Sequence, residues 1–371
     1  MILEKEFVYE NELQKGVQYH VYADDKSIEM SHAGVLTRDT AYAGGFVKSM
    51  LLAGVGTLPQ YRRRGCVRFI LNDLWMDAEN HDWKVCLMHP FSFDYYRKFG
   101  AERVADTIQC DMPIYGLSFV PRYPDLIPLT KEREGDLIEL FAAFTKNRNL
   151  SFKRNSITQF TGENRMTYLY YGPSGKAEGY VTIEPRNHYD GINRMVSDDL
   201  VVWELGFLNR DAIIKLLGFL RMYEGELETV HFHDIGLTPE LDYVFKHYMH
   251  TRYDVHPDVA ARIFDTEGML LANSYPTEHG VFTLRVEDII PKAAGTYQVE
   301  YENGKCEVKK LTDTDACDIV VGPQALARIL YGVDALTPEL ISYFEGAKAY
   351  TDCKDLFRAF PQRINGLSEQ F

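Results

Sequence analysis

An apolar run over residues 45–58 stops at Pro59, three consecutive arginines (Arg62, Arg63 and Arg64) follow, and Gly65 opens a stretch with helical spacing. Over residues 64–80, Cys66, Phe69, Ile70, Leu74 and Met76 are available to the inner faces of one helix. The next apolar run, Val85-Cys86-Leu87-Met88, reads as a buried strand. Parallel strands need a long crossover, and a helix between two strands supplies it. This strand, turn, helix, strand order limits the fold more than any other feature. It predicts a sheet with parallel neighbours and helical cover.

The same turn has the chemistry of an anion cradle. Backbone N–H groups at a helix start are unpaired and lie at the positive end of the helix dipole. Such groups bind a diphosphate through main-chain donors. Gly65 lacks a Cβ, so a phosphate can approach the backbone closely, and the arginines add charge-assisted contacts.

The 371 residues suggest two to three domains. After the buried strand, residues 93–99 read as a short helix stopped by Gly100. The segment 119–125 carries Pro121 and Pro124 and marks a boundary. Beyond it come a helix at 134–145, a hairpin of 167–171 with 177–184, a strand at 200–206 and a helix at 210–223. That order repeats the first region without its basic turn. A third region begins near Ala261, with a hairpin around Asn303-Gly304 and helices at 323–331 and 337–344. At the other end, residues 1–24 read as strands, with Phe7-Val8-Tyr9 and Val17–Tyr22 as the apolar parts.

Composition narrows the partners. A net charge of −14 disfavours general binding to nucleic acid and suits cationic amines, although solubility alone accounts for it equally. No apolar stretch is long enough to span a membrane, the start lacks a signal-peptide layout, and six scattered cysteines read as reduced thiols. A cytoplasmic protein without membrane attachment is expected. His231 and His233 share one face of a strand, but nothing in their spacing converges three or four ligands, so no metal is expected.

The pattern Arg62-x-x-Gly65-x-Val67 after an apolar strand resembles the acetyl-CoA signature of the GNAT superfamily of N-acetyltransferases, with Val67 in place of the usual Gly or Ala. Three arginines, a glycine and two apolar residues resemble the Eis-like branch in particular. The resemblance implies donor contacts at Val55, Gly56 and Thr57 on the strand and at Arg62, Arg63, Arg64, Gly65, Cys66, Val67 and Arg68 in the turn and helix start. Downstream, the segment from His89 to Glu102 resembles the family's helix with a Tyr before an aromatic-Gly pair. It implies contacts at Phe91 and Ser92 and makes Tyr96 the acid that protonates the departing thiolate. Without the family spacing, a tyrosine-rich helix in a chain of 24 tyrosines would read as core.

The strand before the turn carries no carboxylate to serve as base. In Eis-like proteins the chain's terminal carboxylate does so, which implies that role for Phe371. The resemblance further implies a mixed α/β fold with three parts. These are a GNAT domain at 1–125, a degenerate second one at 126–260, and a sterol-carrier-protein-like (SCP2-like) domain at 261–371, opened by Arg262-Ile263-Phe264-Asp265. It implies acetyl-CoA as co-substrate, a primary amine of an aminoglycoside-like molecule or a protein lysine as acceptor, and a homo-oligomer, hexameric in that family. A catalytically silent acyl-CoA or lipid binding protein of the same fold is the alternative. The two helices that border the amine site in that family are not evident in residues 1–24.

Overall fold

The computed structural model describes residues 1–10, 15–189, 195–246, 249–312 and 316–367. The first part is a meander of β1 (Ile2–Glu10), β2 (Lys15–Tyr22), β3 (Glu29–Tyr42) and β4 (Gly45–Thr57), each pairing antiparallel with the next. Helix α1 (Cys66–Asp77) then crosses over to β5 (Val85–Met88), which lies parallel to β4. Short helix α2 (Phe93–Arg97) leads into β6 (Glu102–Pro113). The expected parallel pair and its helical crossover are both present. β1 and β2 pair antiparallel over Ile2–Glu10 and Lys15–Tyr22, so the described part of residues 1–22 is strand, as expected.

Helix α1 buries Cys66, Ile70, Leu71, Leu74 and Trp75 against β2–β5, a stripe at the i, i+4, i+5 spacing of an amphipathic helix. Phe69 and Met76, expected inside, are 37% and 50% exposed. Their positions fall on the opposite side of that stripe, where no element covers them. The Trp75 indole Nε1 donates to the Phe99 carbonyl at 3.0 Å, tying α1 to the end of α2.

The middle of the chain repeats this order. After β7 (Ile127–Pro128), α3 (Glu134–Thr145) and β8 (Arg148–Asn149) come β9 (Met166–Tyr171), β10 (Ala177–Tyr189) and β11 (Met195–Phe207), an antiparallel meander. Helix α4 (Arg210–Leu220) crosses to β12 (Thr229–Phe232), parallel to β11. Then β13 (Arg252–Ile263) returns.

The two repeats exchange their last strands. β13 pairs antiparallel with β5 of the first repeat, and β6 pairs antiparallel with β12 of the second. β6 and β13 pair with each other at the centre. One sheet of twelve strands results, in the order β1-β2-β3-β4-β5-β13-β6-β12-β11-β10-β9-β7. The exchange gives β5 and β12 a hydrogen-bonded partner on each side, so neither is left as an open edge.

The remainder comprises α5 (Thr266–Leu271), β14 (Gly280–Val286), β15 (Gly295–Glu302), β16 (Lys305–Leu311), β17 (Ile319–Val321), α6 (Pro323–Tyr331), α7 (Pro338–Ile341), β18 (Lys348–Ala349), α8 (Lys354–Ala359) and β19 (Ile364–Asn365). Five of these strands form a second sheet, β16-β15-β14-β17-β18. Its core is continuous with the large sheet: Leu51, Leu87, Val104 and Ala261 join one cluster with Leu284, Tyr297, Leu326 and Tyr331. Helix α6 lies against β6 and β13 and fills that junction. Tyr42 of β3 reaches across to donate to the Leu330 carbonyl at 3.1 Å. The third region therefore packs on a face of the large sheet and shares a continuous core with it.

Candidate functional site

β4 and β5 stay paired from Ser49–Val85 to Leu52–Met88 and then part. A bulge in β4 starts the separation, because Ala53 and Gly56 oppose Gly34 and His32, leaving two residues of β4 against one of β3. Beyond the bulge Val55, Gly56 and Thr57 have no partner in β5. They form one wall of a splayed opening with strand amides along it. A Cβ on Gly56 would stand 2.5 Å from the His32 imidazole, so a larger residue there would displace that half-exposed ring.

From Thr57 the chain makes a short turn at Pro59–Tyr61 and reaches Arg63 and Gly65, both left-handed at φ 62° and 86°. Left-handed residues in such a turn aim neighbouring amides into one concavity. Gly65 is the N-cap of α1 and provides no side-chain cap, and the first turn holds no acidic residue. The first amide to find a helical partner is Phe69, which donates to the Gly65 carbonyl at 2.9 Å. The amides of Cys66, Val67 and Arg68 precede it, at the positive end of the dipole. A Cβ on Gly65 would meet nothing within 4 Å. The space above the turn is open, as a bound phosphate group requires.

The arginines do not share one role. Arg62 donates weakly from Nε to the Thr57 carbonyl at 3.5 Å, and Arg64 lies 5.3 Å from the Tyr61 ring. A cavity of about 990 Å³ opens beside them, lined by Arg63, Arg64, Gly65 and Arg68, then by Tyr95 and Lys98 of the α2 segment. Its far wall belongs to the third region.

Tyr96 lies on α2 with 4% of its surface exposed, in the same core as Cys86 and Met88 of β5. Burial, reinforced by the neighbouring Tyr95 hydroxyl and Cys86 thiol, raises its pKa above the usual tyrosine value. The phenol therefore holds its proton at neutral pH. Ser92 caps α2, its Oγ accepting from the Tyr95 amide at 3.2 Å, and Phe91 stands 77% exposed with its ring 5.4 Å from Tyr95. Phe371 lies outside the described residues.

Two groupings beside the opening carry no sequence signal. His89, directly after β5, places Nδ1 2.8 Å from Asp258 Oδ1, a residue of the exchanged strand β13. Glu29 lies 3.0 Å from His32 and 3.2 Å from His20. Burial pushes Glu29 up, but its contacts with the two imidazoles outweigh this and hold the carboxyl below its ordinary range. These residues meet only through strand register. His231 sits between Asp111 (2.7 Å) and Asp199 (3.4 Å), while His233 packs on Trp203. Among the described residues no group of three or more His, Cys, Asp or Glu side chains is arranged to hold a metal.

Residues 4–104 match the model of the acetyltransferase (GNAT) domain. That span contains the splayed strands, the arginine turn and α2. No curated protein matches the sequence. Among solved structures, a GCN5-related N-acetyltransferase from Anabaena variabilis superposes with a TM-score of 0.80 at 18% identity, covering 95% of this chain and 89% of that one. A GCN5-related N-acetyltransferase from Kribbella flavida gives 0.78 at 18% identity over 95% and 87%. Eis1 from Mycobacterium abscessus gives 0.75 at 14% identity over the full length of both chains. The chain thus shares its fold with these proteins, and the match to the GNAT acetyltransferase domain in its first part supports an N-acetyltransferase and implies acetyl-CoA as co-substrate. No helix among the described residues is long and apolar enough to cross a membrane.

Proposed function

We propose that the protein transfers the acetyl group of acetyl-CoA to a primary amine of a cationic, aminoglycoside-like molecule or of a protein lysine, by direct attack in a ternary complex. One observation carries this reading: an uncapped helix N-terminus at Gly65 adjoins strands that part after Leu52 and Met88. Pantetheine would pair with Val55, Gly56 and Thr57 as an added strand would. The diphosphate would rest on the amides of Cys66, Val67 and Arg68, with Arg62, Arg63 and Arg64 supplying charge and Phe91 and Ser92 lining the opposite side. The amine nitrogen attacks the thioester carbonyl carbon, the C–S bond breaks, and the Tyr96 hydroxyl gives its proton to the sulfur.

The ammonium form of the acceptor, with a pKa of about 10, must first lose a proton. We assign that step to a carboxylate at Phe371. The described tail supports it: β19 runs parallel to β8, whose continuation runs antiparallel to β3 from Ala41 to Asp39, toward the end of β3 that faces the opening. We further read the repeats and the third region as tandem GNAT domains and an SCP2-like domain of an Eis-like enzyme, assembled as a hexamer in the cytoplasm. Asp24, paired with the Met1 amino group, and Asp25, bonded to Ser27, are occupied locally and contribute little to acceptor binding.

Purified protein should release coenzyme A only when acetyl-CoA and an amine are both present. A broad amine panel that yields no thiol above hydrolysis would defeat the proposal in favour of a silent acyl-CoA binding protein. Gly65→Asp should weaken acetyl-CoA binding by about tenfold or more, through loss of one charge-assisted phosphate contact. Because nothing surrounds that position, unfolding should report only about 1–2 kcal/mol for the left-handed backbone. Calorimetry and thermal unfolding separate the two effects.

A further inference from the structure

The large cavity beside the arginine turn is unevenly divided. Its near end holds the cationic Arg63, Arg64 and Arg68 around Gly65. The lining continues through Asn72 and Trp75 of α1 to Ile289, Pro323 and Gln324 of the third region. Ile289 is 69% exposed although it lines a concave site. An exposed apolar side chain in the lining of a cavity that also holds three arginines suits a flat ring, which loses little by leaving water.

That wall is held in place. The Arg262 guanidinium of β13 binds Asp288 through both carboxylate oxygens, at 2.6 and 2.5 Å, and donates from Nε to the Phe99 carbonyl at 3.0 Å. Ile289 is therefore attached to a residue fixed against the α2 segment. The Gln324 amide nitrogen donates to the Arg97 carbonyl at 2.9 Å. Gly100, left-handed at φ 82°, allows the close approach, since a Cβ would meet Arg262 at 2.7 Å and Pro323 at 2.9 Å. A rigid wall of this kind costs no ordering entropy when a ligand arrives.

We infer that the third region completes the donor site, its Ile289, Pro323 and Gln324 forming the seat for the adenine end of a 3′-phosphorylated adenosine diphosphate. This rests on the donor-site reading above and extends it to the part of the chain with no acetyltransferase motif. The phosphates lie at the cationic end, the base lies on Ile289 and Pro323, and Gln324 and Glu287 offer polar partners for its edge and the ribose. Acetyl-CoA then binds across the first and third regions together, and the docking held by Arg262 becomes a condition for donor affinity.

The test compares probes with and without the nucleotide. Calorimetry should show that Ile289→Glu weakens binding of 3′,5′-ADP about tenfold, the loss expected from an apolar seat replaced by a charge that repels phosphate. Gln324→Ala should weaken it severalfold. In turnover, KM for acetyl-CoA should rise with Ile289→Glu by a similar factor, so that the advantage of acetyl-CoA over S-acetylpantetheine shrinks. Affinity for 3′,5′-ADP within about twofold of the parent in both variants overturns the inference. Parent protein that takes up neither acetyl-CoA nor 3′,5′-ADP overturns the donor-site reading, and this one with it.

Discussion

Tyr96→Phe is expected to lower kcat about a hundredfold or more, the range lost with a positioned general acid, while leaving acetyl-CoA affinity nearly unchanged. The substitution removes one oxygen from a residue that is 4% exposed and keeps the ring contacts with Phe91 and Tyr95. Packing should therefore survive, and the change isolates the proton. Burial, followed by the proximity of Tyr95 and Cys86, raises the pKa of this phenol. The acid form is thus complete across the neutral range, and activity should show no decline from Tyr96 ionisation below about pH 10. Loss should be uniform over that range in the variant. Stopped-time thiol release across pH, set beside calorimetry with acetyl-CoA, makes the comparison. A kcat within about threefold of the parent would remove Tyr96 from the reaction.

Asp288→Ala should destabilise the protein by about 3–5 kcal/mol, because it strands a charge in the interior. The side chains of Arg262 and Asp288 are 1% and 0% exposed. Arg262 also donates to the Phe99 and Ile263 carbonyls, which orient the guanidinium but do not neutralise it. The double variant Arg262→Met with Asp288→Leu should recover most of that loss, since an apolar pair of similar size has no charge to desolvate. Urea unfolding of the parent, the single variants and the double variant gives the coupling. If Asp288→Ala costs under about 1 kcal/mol, the pair does not anchor the third region as described.

Much of the chain's local structure is legible in its sequence. Helix α3 matches the expected 134–145, and α6 the expected 323–331. β5 matches Val85–Met88, and the Asn303-Gly304 turn joins β15 to β16. These elements carry strong local signals: apolar periodicity, a proline at a helix start, a turn dipeptide that accepts positive φ. The helix expected at 337–344 is shorter, four residues at Pro338–Ile341, because the chain leaves helical geometry in turns after Ser342. The arginine turn was legible for the same local reason. Its glycine and cations lie within a few residues and need no distant partner to define their chemistry.

What the sequence by itself determined is the local geometry of the donor turn and the repeated order of strand, helix and strand, since both follow from the nearest few neighbours. Only the tertiary structure decided which strands pair. The exchange of β6 and β13, the meeting of His89 with Asp258, and the third region's wall beside Arg68 join residues that lie far apart in the chain. Such contacts depend on sheet register and on how two apolar faces share one core. Neither leaves a periodic trace in the chain, because a buried Leu or Val is equally suited to several partners.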